Sequence, residues 1–590
     1  MDGGTPFDTI GRIAEEAERA GADAVGAHRP VGGRWIPATW REQGVLRREV
    51  AAGLAALVAP GERVALLSHT RWEWGPIDLA ILTLGAATVG IYPTSTPSQV
   101  DYMLRHSRSC VLFVEDEAQL ARLRAVIAAA PDLRRVVVIA PASASVEGAS
   151  TLDSLRAEGR AASPDIVEKR AAAVKPADVA TLVYTSGTTG PPKAVVLTHA
   201  ALIATSRSGS KFIGAMPEDV AVSYLPMAHV LTRVNYYGYL QVRGTAWYAE
   251  SLEKVGAAWL VARPTVVAAV PRVLEKAQAR ILGGVAASRP LRRKLFGRAL
   301  ASGLRRVAHV ERRERVPALL AAETALWKRL VYRKVLARLG WTRVRFAMSG
   351  GAPLRPDIAR FFHALGVTVI EGFGMTETAS PITLNQPDNW RIGSVGRALP
   401  GIDVEIAPDG EILVRSPGLF SRYDGDEAST RAAFDERGFF RTGDVGTIDA
   451  AGFLRITDRK RDLIITSGGK NVAPQNIEAL IRDDSRVSQV AVFGEQRPYL
   501  VALITLQPET LAALGAPATG ALPAGGPADV LVGSILERVN AGLAPYESIK
   551  RFRVLAEDFT VENDLLTPTL KVKRRAVGAR YAALLDALYA

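Results

Sequence analysis

The residues TLVYTSGTTGPPKAVVLTH, Thr181 to His199, decide how the chain is read. An apolar run stops at Tyr184. The chain then spends nine residues on Thr185, Ser186, Gly187, Thr188, Thr189, Gly190, two prolines and Lys193 before a second apolar run begins. Such a stretch is either a solvated loop between two strands or a cradle for phosphate. Glycines let the backbone approach a ligand closely. Backbone N–H groups and hydroxyls donate to phosphate oxygens, and a lysine adds charge. All three features are present, which favours the cradle. The spacing is not G-x-x-x-x-G-K-[ST], because Lys193 follows two prolines and precedes Ala194, so this is not the usual NTPase loop.

Upstream, short β-branched runs alternate with helical patterns. RVALLSHT (Arg63–Thr70), TVGIYPT, CVLFVED and RRVVVIA read as strands, and EWGPIDLAILTLGAA and QVDYMLRHS as helices. This alternation predicts a mostly parallel sheet with helices on its faces. Near-continuous apolar strands fit a sheet covered on both sides. Downstream, DVAVSYLPMAH, PTVVAAVP and RVRFAMSGGAPL continue the pattern. Near Pro400 the style changes to short strands and turns, with Asp409-Gly410 as a hairpin signal in GIDVEIAPDGEILVRSPG. From about Leu463 the tail has its own pattern in NIEALIRDD, VSQVAVFG and LVALITLQP, and ALGAPATGALPAGGPADV reads as a surface loop. The charged run Asp458–Asp462 is the best boundary, giving residues 1–460 and 461–590 as two domains.

A length of 590 residues exceeds one ordinary core, and a 48% hydrophobic content excludes general disorder. The lone Cys110 cannot form an internal disulfide, which fits a reducing compartment. The opening residues do not resemble a signal peptide, and no apolar run reaches the length of a spanning helix. A cytoplasmic protein is expected. The formal charge of +13 is uneven. Residues 271–345 hold 20 Lys or Arg against 4 Asp or Glu, a net +16, so the remainder carries −3. This segment reads as a solvated helical pair or as a patch for anionic lipid at the inner membrane surface. Nucleic acid is not supported by any motif. Nothing in the sequence selects an oligomeric state.

Further motifs lie in order along the chain: YLPMAHV (Tyr224–Val230), SGGAPL (Ser349–Leu354), EGFGMTET (Glu371–Thr378), RTGDVG (Arg441–Gly446), DRKRDLIITSGGKNVAP (Asp458–Pro474) and LTPTLKVKRR (Leu566–Arg575). Together with the opening stretch, they resemble the adenylate-forming, AMP-binding superfamily over most of the chain. The resemblance implies an α/β fold of the ANL type. It has a large N-terminal domain of stacked, mostly parallel sheets with helices and a β-rich subdomain, and a small mobile α+β C-terminal domain. It also implies two half-reactions. A carboxylate attacks the α-phosphate of ATP, and a thiol, usually that of coenzyme A, then displaces AMP.

By the same resemblance, Thr185, Ser186, Thr188 and Lys193 hold the outer phosphates, with Gly187, Thr189 and Gly190 shaping the loop. Thr376 contacts phosphate and Glu377 ligates Mg²⁺, a hard cation suited to carboxylate oxygen. Gly351, Ala352 and Pro353 form one wall for adenine. Phe373, between Gly372 and Gly374 and after Glu371, is the stacking aromatic. Asp444 binds the ribose hydroxyls, with Arg459 as a second nucleotide contact. Lys571 neutralises charge during adenylation. Arg461 is the hinge, and Ser467, Gly468, Gly469 and Lys470 serve the thiol step. His229 in PMAHV is either structural or lines the acyl or thiol path.

LTPTLKVKRR, SGGKNVAP and the basic insert resemble the long-chain fatty acyl-CoA synthetases, so the expected reaction is an ATP-dependent long-chain fatty acid:CoA ligation. A fatty-acyl-AMP ligase serving a carrier-protein thiol would tend to carry an insertion after the hinge, and none interrupts Asp458–Pro474. A non-catalytic binding relative is opposed by Lys193, Glu377, Asp444 and Lys571. SRYDGDEAST (Ser421–Thr430) departs from the glycine-tyrosine-tyrosine run of the family and reads as drift on the surface.

Overall fold

A computed structural model describes residues 8–141, 146–163, 165–185, 192–460, 464–467, 470–516, 522, 525–567 and 571–590. Its largest sheet has eight strands. In spatial order they are Arg422–Tyr423, Lys193–Thr198, Val179–Thr185, Ala87–Ile91, Arg63–Leu67, Ser109–Val114, Arg135–Val138 and Ser150–Thr151. From Val179–Thr185 onward every pairing is parallel, while Lys193–Thr198 runs antiparallel to both its neighbours. The sequence-read strands are all present, most of them shorter than the apolar run that announced them.

Alternation along these strands feeds two cores. Val64, Leu66, Val111 and Phe113 pack on one face with the helices Trp40–Ala55 and Trp74–Thr83. Ala65, Leu67, Leu112 and Val114 pack on the other with Pro97–Ser107 and Glu117–Ala129. A second sheet joins Val266–Ala269, Phe346–Ser349 and Thr368–Phe373 in parallel and adds Thr383–Leu384 and Arg397–Ala398 antiparallel. The β-rich part is a four-stranded antiparallel sheet, Asp403–Ile406, Glu411–Arg415, Phe440–Ile448 and Leu454–Arg459. Gly410, at φ +85°, closes its first hairpin, a conformation that only glycine adopts without strain.

The tail builds a separate core on the sheet Val487–Phe493, Leu500–Leu506 and Ile549–Leu555, covered by Pro474–Arg482 and Pro527–Asn540. Part of the Ala/Gly/Pro-rich loop lies outside the described residues. Arg355, just after SGGAPL, contacts Asp483 of the tail at 2.6 Å.

The basic insert forms helices Pro271–Ala286, Pro290–Glu311 and Ala318–Trp327. Leu274, Ile281, Phe296 and Val307 anchor it in the core of the second sheet. Leu291, Leu304, Leu319 and Leu326 remain exposed on these helices.

Where the large sheet meets its helices, an ion pair is sealed from water. Arg233 is 1% exposed and Asp78 is 0% exposed, and they meet at 2.6 Å. Tyr237 donates to Asp78 at 2.7 Å, and Arg233 donates to Thr181 on the strand leading into the phosphate loop. Removing one member strands the other without a counter-charge, which costs about 3–5 kcal/mol. Asp78→Ala should therefore lower the unfolding free energy by about that amount, and pairing Asp78→Leu with Arg233→Met should restore most of it. A loss below about 1 kcal/mol in the chemical unfolding of Asp78→Ala would contradict this.

Three histidines of the front part accept hydrogen bonds from the backbone. Nδ1 of His199 accepts from Ile10, Nε2 of His363 accepts from Val369, and Nδ1 of His229 accepts from Leu231 at a helix start. Burial lowers each pKa to about 4. An unfolded imidazole binds its proton near pH 6.5, so the unfolded chain holds more protons at these positions between about pH 6.5 and 4. The stability each contributes is present at neutral pH and is lost as pH falls through that window. His69 is shifted upward instead, by its hydrogen bond to Glu115. Titration of labelled histidine should show three imidazoles neutral at about pH 5 and one that protonates above about 6.5. A common midpoint for all would refute the assignment.

Candidate functional site

Thr185 ends its strand opposite Lys193, and its hydroxyl donates to the Lys193 carbonyl at 3.4 Å. The residues between them that the sequence singles out, Ser186, Gly187, Thr188, Thr189 and Gly190, lie outside the described residues, as do Arg461, Gly468 and Gly469. The Lys193 ammonium bonds the Ser429 hydroxyl, sits 3.6 Å from the Asp426 carboxylate and lies 4.9 Å from the centre of the Tyr423 ring. The Tyr423 hydroxyl in turn donates to Glu377 at 2.9 Å.

This corrects the reading of Ser421–Thr430 as surface drift. Arg422–Tyr423 is the edge strand of the large sheet, with Tyr423 opposite Val195. Asp424 pairs with Arg63 at 3.0 Å, and Asp426 caps the short helix Glu427–Ala432 through the Ser429 N–H. Asp426-x-x-Ser429 is a capping spacing that was visible in the sequence. The edge pairing was not, since its partner lies more than 200 residues away.

Thr376, Glu377 and Thr378 form one buried helical turn. It is followed by Ala379 and Ser380 at φ +51° and +46°, two non-glycine residues in the left-handed region. Burial raises the Glu377 pKa, opposed by the Tyr423 hydroxyl and the Arg459 charge. Close packing explains the glycines on the preceding strand. A Cβ on Gly372 would come within 2.6 Å of Leu384, and one on Gly374 within 2.7 Å of Pro381.

Phe373 is 9% exposed and packs with Ile382, Ile412, Val414 and Leu454, so its ring belongs to the core of the β-rich sheet. Glu371 is also buried, which pushes its pKa up to about 7 against hydrogen bonds from the Leu354 and Gly393 N–H groups. Its carboxyl thus braces the SGGAPL loop, in which Gly351, Ala352 and Pro353 are exposed and Gly351 has φ +82°.

Asp444 is 4% exposed, lies opposite Arg459 in the antiparallel sheet, and accepts from its guanidinium at 2.9 Å. Beside the boundary, Lys460 is bonded to Asp409 and Glu411. In the tail, the Lys571 ammonium lies close enough to His229 to add to the lowering of that pKa by burial. Its neighbours are committed elsewhere, Lys573 to Asp564 and Arg574 to Glu478. Ser467 and Lys470 face the tail itself, through the Arg497 carbonyl and the Tyr546 ring. The side chains therefore fall into a polar seam, Lys193–Tyr423–Glu377 with Arg459–Asp444 beside it, and the charge of Lys571 is felt at His229.

No cluster of three or more His, Cys, Asp or Glu side chains that could hold a metal ion occurs among the described residues. One buried carboxylate beside a threonine hydroxyl fits a cation that takes most of its ligands from phosphate and water, as Mg²⁺ does. No helix among the described residues is long and apolar enough to cross a membrane.

Comparison with known proteins is consistent with this arrangement. The chain is 36% identical over 592 residues to the long-chain-fatty-acid–CoA ligase FadD15 of Mycobacterium bovis, covering 99% of this chain and 97% of that one. It is 32% identical to the peroxisomal long chain acyl-CoA synthetase 6 of Arabidopsis thaliana, covering 94% and 82%. The fold matches the adenylation domain of a carboxylate reductase from Mycobacterium chelonae with a TM-score of 0.76 at 23% identity, covering 99% of this chain and 91% of that one. Residues 14–424 match the model for AMP-binding enzymes and residues 461–590 that for the AMP-binding enzyme C-terminal domain, and the chain belongs to this family.

Proposed function

We infer that the chain is an ATP-dependent long-chain fatty acid:CoA ligase, an acid-thiol ligase. It forms an acyl-adenylate with release of pyrophosphate and then an acyl-CoA with release of AMP. The observation that carries the reading is full-length similarity to long-chain acyl-CoA ligases, and the motifs that hold Lys193, Glu377, Asp444 and Lys571 support it. Its substrates are a fatty acid, ATP and coenzyme A, and its metal is Mg²⁺.

Residue roles follow from chemistry. In the first step a carboxylate oxygen bonds to the α-phosphorus and the bond to pyrophosphate breaks. Both reactants are anions, so fixed positive charge and donors at the phosphates lower the barrier. Lys193, with Thr185, Ser186, Thr188 and the loop glycines Gly187 and Gly190, is assigned to the outer phosphates, together with Thr189. Thr376 is assigned to phosphate and Glu377 to the metal. When bound, Mg²⁺ supplies charge neutralisation on the departing pyrophosphate. Asp444 offers acceptors to the ribose hydroxyls, with Arg459 holding the carboxylate in place. Gly351–Pro353 and the Gly372–Gly374 strand end, braced by Glu371, frame adenine. Phe373, 9% exposed, is assigned to stack on the adenine.

Lys571 would offset charge as the oxygen approaches phosphorus. His229 is assigned to the acyl or thiol path as a neutral donor, since Nδ1 accepts from the backbone and the proton is on Nε2. The division at 460/461 is part of this reading, supported by the separate tail core and by the family match that begins at residue 461. Rotation about Arg461 would exchange Lys571 for the Ser467–Lys470 segment between half-reactions.

Incubation with ATP, Mg²⁺, CoA and palmitate should yield AMP and palmitoyl-CoA in equal amounts. AMP without thioester would sink the reading. Lys571→Ala should slow adenylation by about a hundredfold or more while still converting preformed palmitoyl-adenylate and CoA to product. An equal loss in both half-reactions would refute the assigned role.

The basic insert is proposed to rest on anionic membrane, where the fatty acid partitions. Leu291, exposed beside Arg292, Arg293 and Lys294 in the sequence, and the exposed Leu319 would insert while the cations meet headgroups. The protein should co-sediment with phosphatidylglycerol vesicles and release in high salt. Leu291→Ser combined with Leu319→Ser should weaken binding severalfold. Equal binding to phosphatidylcholine vesicles would contradict it.

A further inference from the structure

The segment that departs from the family pattern occupies the middle of the polar seam. We propose that Tyr423 is a positioning residue that couples the phosphate lysine, Lys193, to the metal carboxylate, Glu377, so that metal and outer phosphates are held as one unit. The proposal rests on the ligase reading above for the roles of those two residues.

Tyr423 touches both. Its ring face lies under the Lys193 ammonium and its hydroxyl donates to Glu377. A lysine stem is long and flexible, and a cation over an aromatic face is restrained where a solvated one is not. A carboxylate that accepts a fixed hydroxyl keeps one orientation, and groups bonded behind a metal ligand govern how well it binds.

Tyr423 is itself held on every side. Its N–H is bonded by the Thr430 hydroxyl, and its ring packs on Phe420 with centroids 4.7 Å apart. The backbone around it staples the two functional elements together. The Phe420 N–H donates to the Glu377 carbonyl at 2.7 Å, the Ser421 N–H to Val196 at 3.0 Å and the Asp424 N–H to Ala194 at 2.9 Å. Val196 and Ala194 flank Val195 on the strand that Lys193 begins. A tyrosine that served only the core would not need its hydroxyl on Glu377 or a cation on its face.

Two substitutions separate the two contacts. Tyr423→Phe removes only the hydroxyl, and Tyr423→Leu removes the ring as well. The full-length protein is mixed with Mn²⁺ and ATP without fatty acid, and free Mn²⁺ is read by electron paramagnetic resonance. ATP binding in EDTA and acyl transfer from preformed palmitoyl-adenylate to CoA are measured in parallel. Tyr423→Phe should weaken Mn²⁺ retention about tenfold and leave metal-free ATP binding and acyl transfer as in the wild type. Tyr423→Leu should lose Mn²⁺ similarly and weaken metal-free ATP binding a further threefold or so. Wild-type Mn²⁺ affinity in Tyr423→Phe would overturn the proposal, as would equal losses in all three measurements. Binding is read without turnover, so normal Mn²⁺·ATP binding by a wild type that forms no acyl-adenylate would count against the ligase reading alone. The Tyr423→Phe comparison would still decide this one.

Discussion

The antiparallel register between Val179–Thr185 and Lys193–Thr198 is the constraint on which the site depends. It places Thr185 opposite Lys193, so both ends of the glycine- and hydroxyl-rich loop are fixed on neighbouring strands of a sheet buried on both faces. The sealed Arg233–Asp78–Tyr237 network is anchored to Thr181 on the first of these strands. The second strand presents its outer edge to Arg422–Tyr423. A one-residue slip would turn every side chain of the second strand to the wrong face. It would carry Lys193 away from Tyr423 and break both cores at once.

The chemistry asks for cationic and donor groups around two anions, yet the surrounding structure must not collapse when charges are buried. The molecule meets both demands by pairing. Asp444 carries Arg459, Glu377 carries Tyr423, and Lys193 is shared among Ser429, Asp426 and an aromatic face. Each buried or half-buried group has a partner within the protein that a ligand atom can replace or supplement. The charge of Lys571, from the tail, is felt at His229, while Ser467 and Lys470 bond within the tail, to the Arg497 carbonyl and the Tyr546 ring.

Much of this was legible in the sequence. Strands such as RVALL and CVLFV announced themselves because both of their faces are buried, so nearly every residue is apolar. The Asp409-Gly410 turn was readable because its φ admits little else. Motif residues carried their positions but not their side-chain directions. Glu371 and Phe373 were expected at the nucleotide, and what the sequence did not show is that the carboxyl also braces Leu354 and the ring also packs in a core. Tyr423 was missed because a two-residue strand leaves no periodicity, and its meaning comes from partners at Val195, Lys193 and Glu377. Lys571 was assigned from the motif alone, and the sequence did not show that its neighbours pair within the tail, Lys573 with Asp564 and Arg574 with Glu478.

The central claim is that the carboxylate oxygen is transferred to the α-phosphate before any thiol is acylated. Palmitate carrying ¹⁸O in both carboxylate oxygens tests this directly, by mass spectrometry of the products after turnover with unlabelled ATP and CoA. The account predicts one ¹⁸O in AMP and none in pyrophosphate. Label in inorganic phosphate or pyrophosphate, or AMP without label, would contradict it.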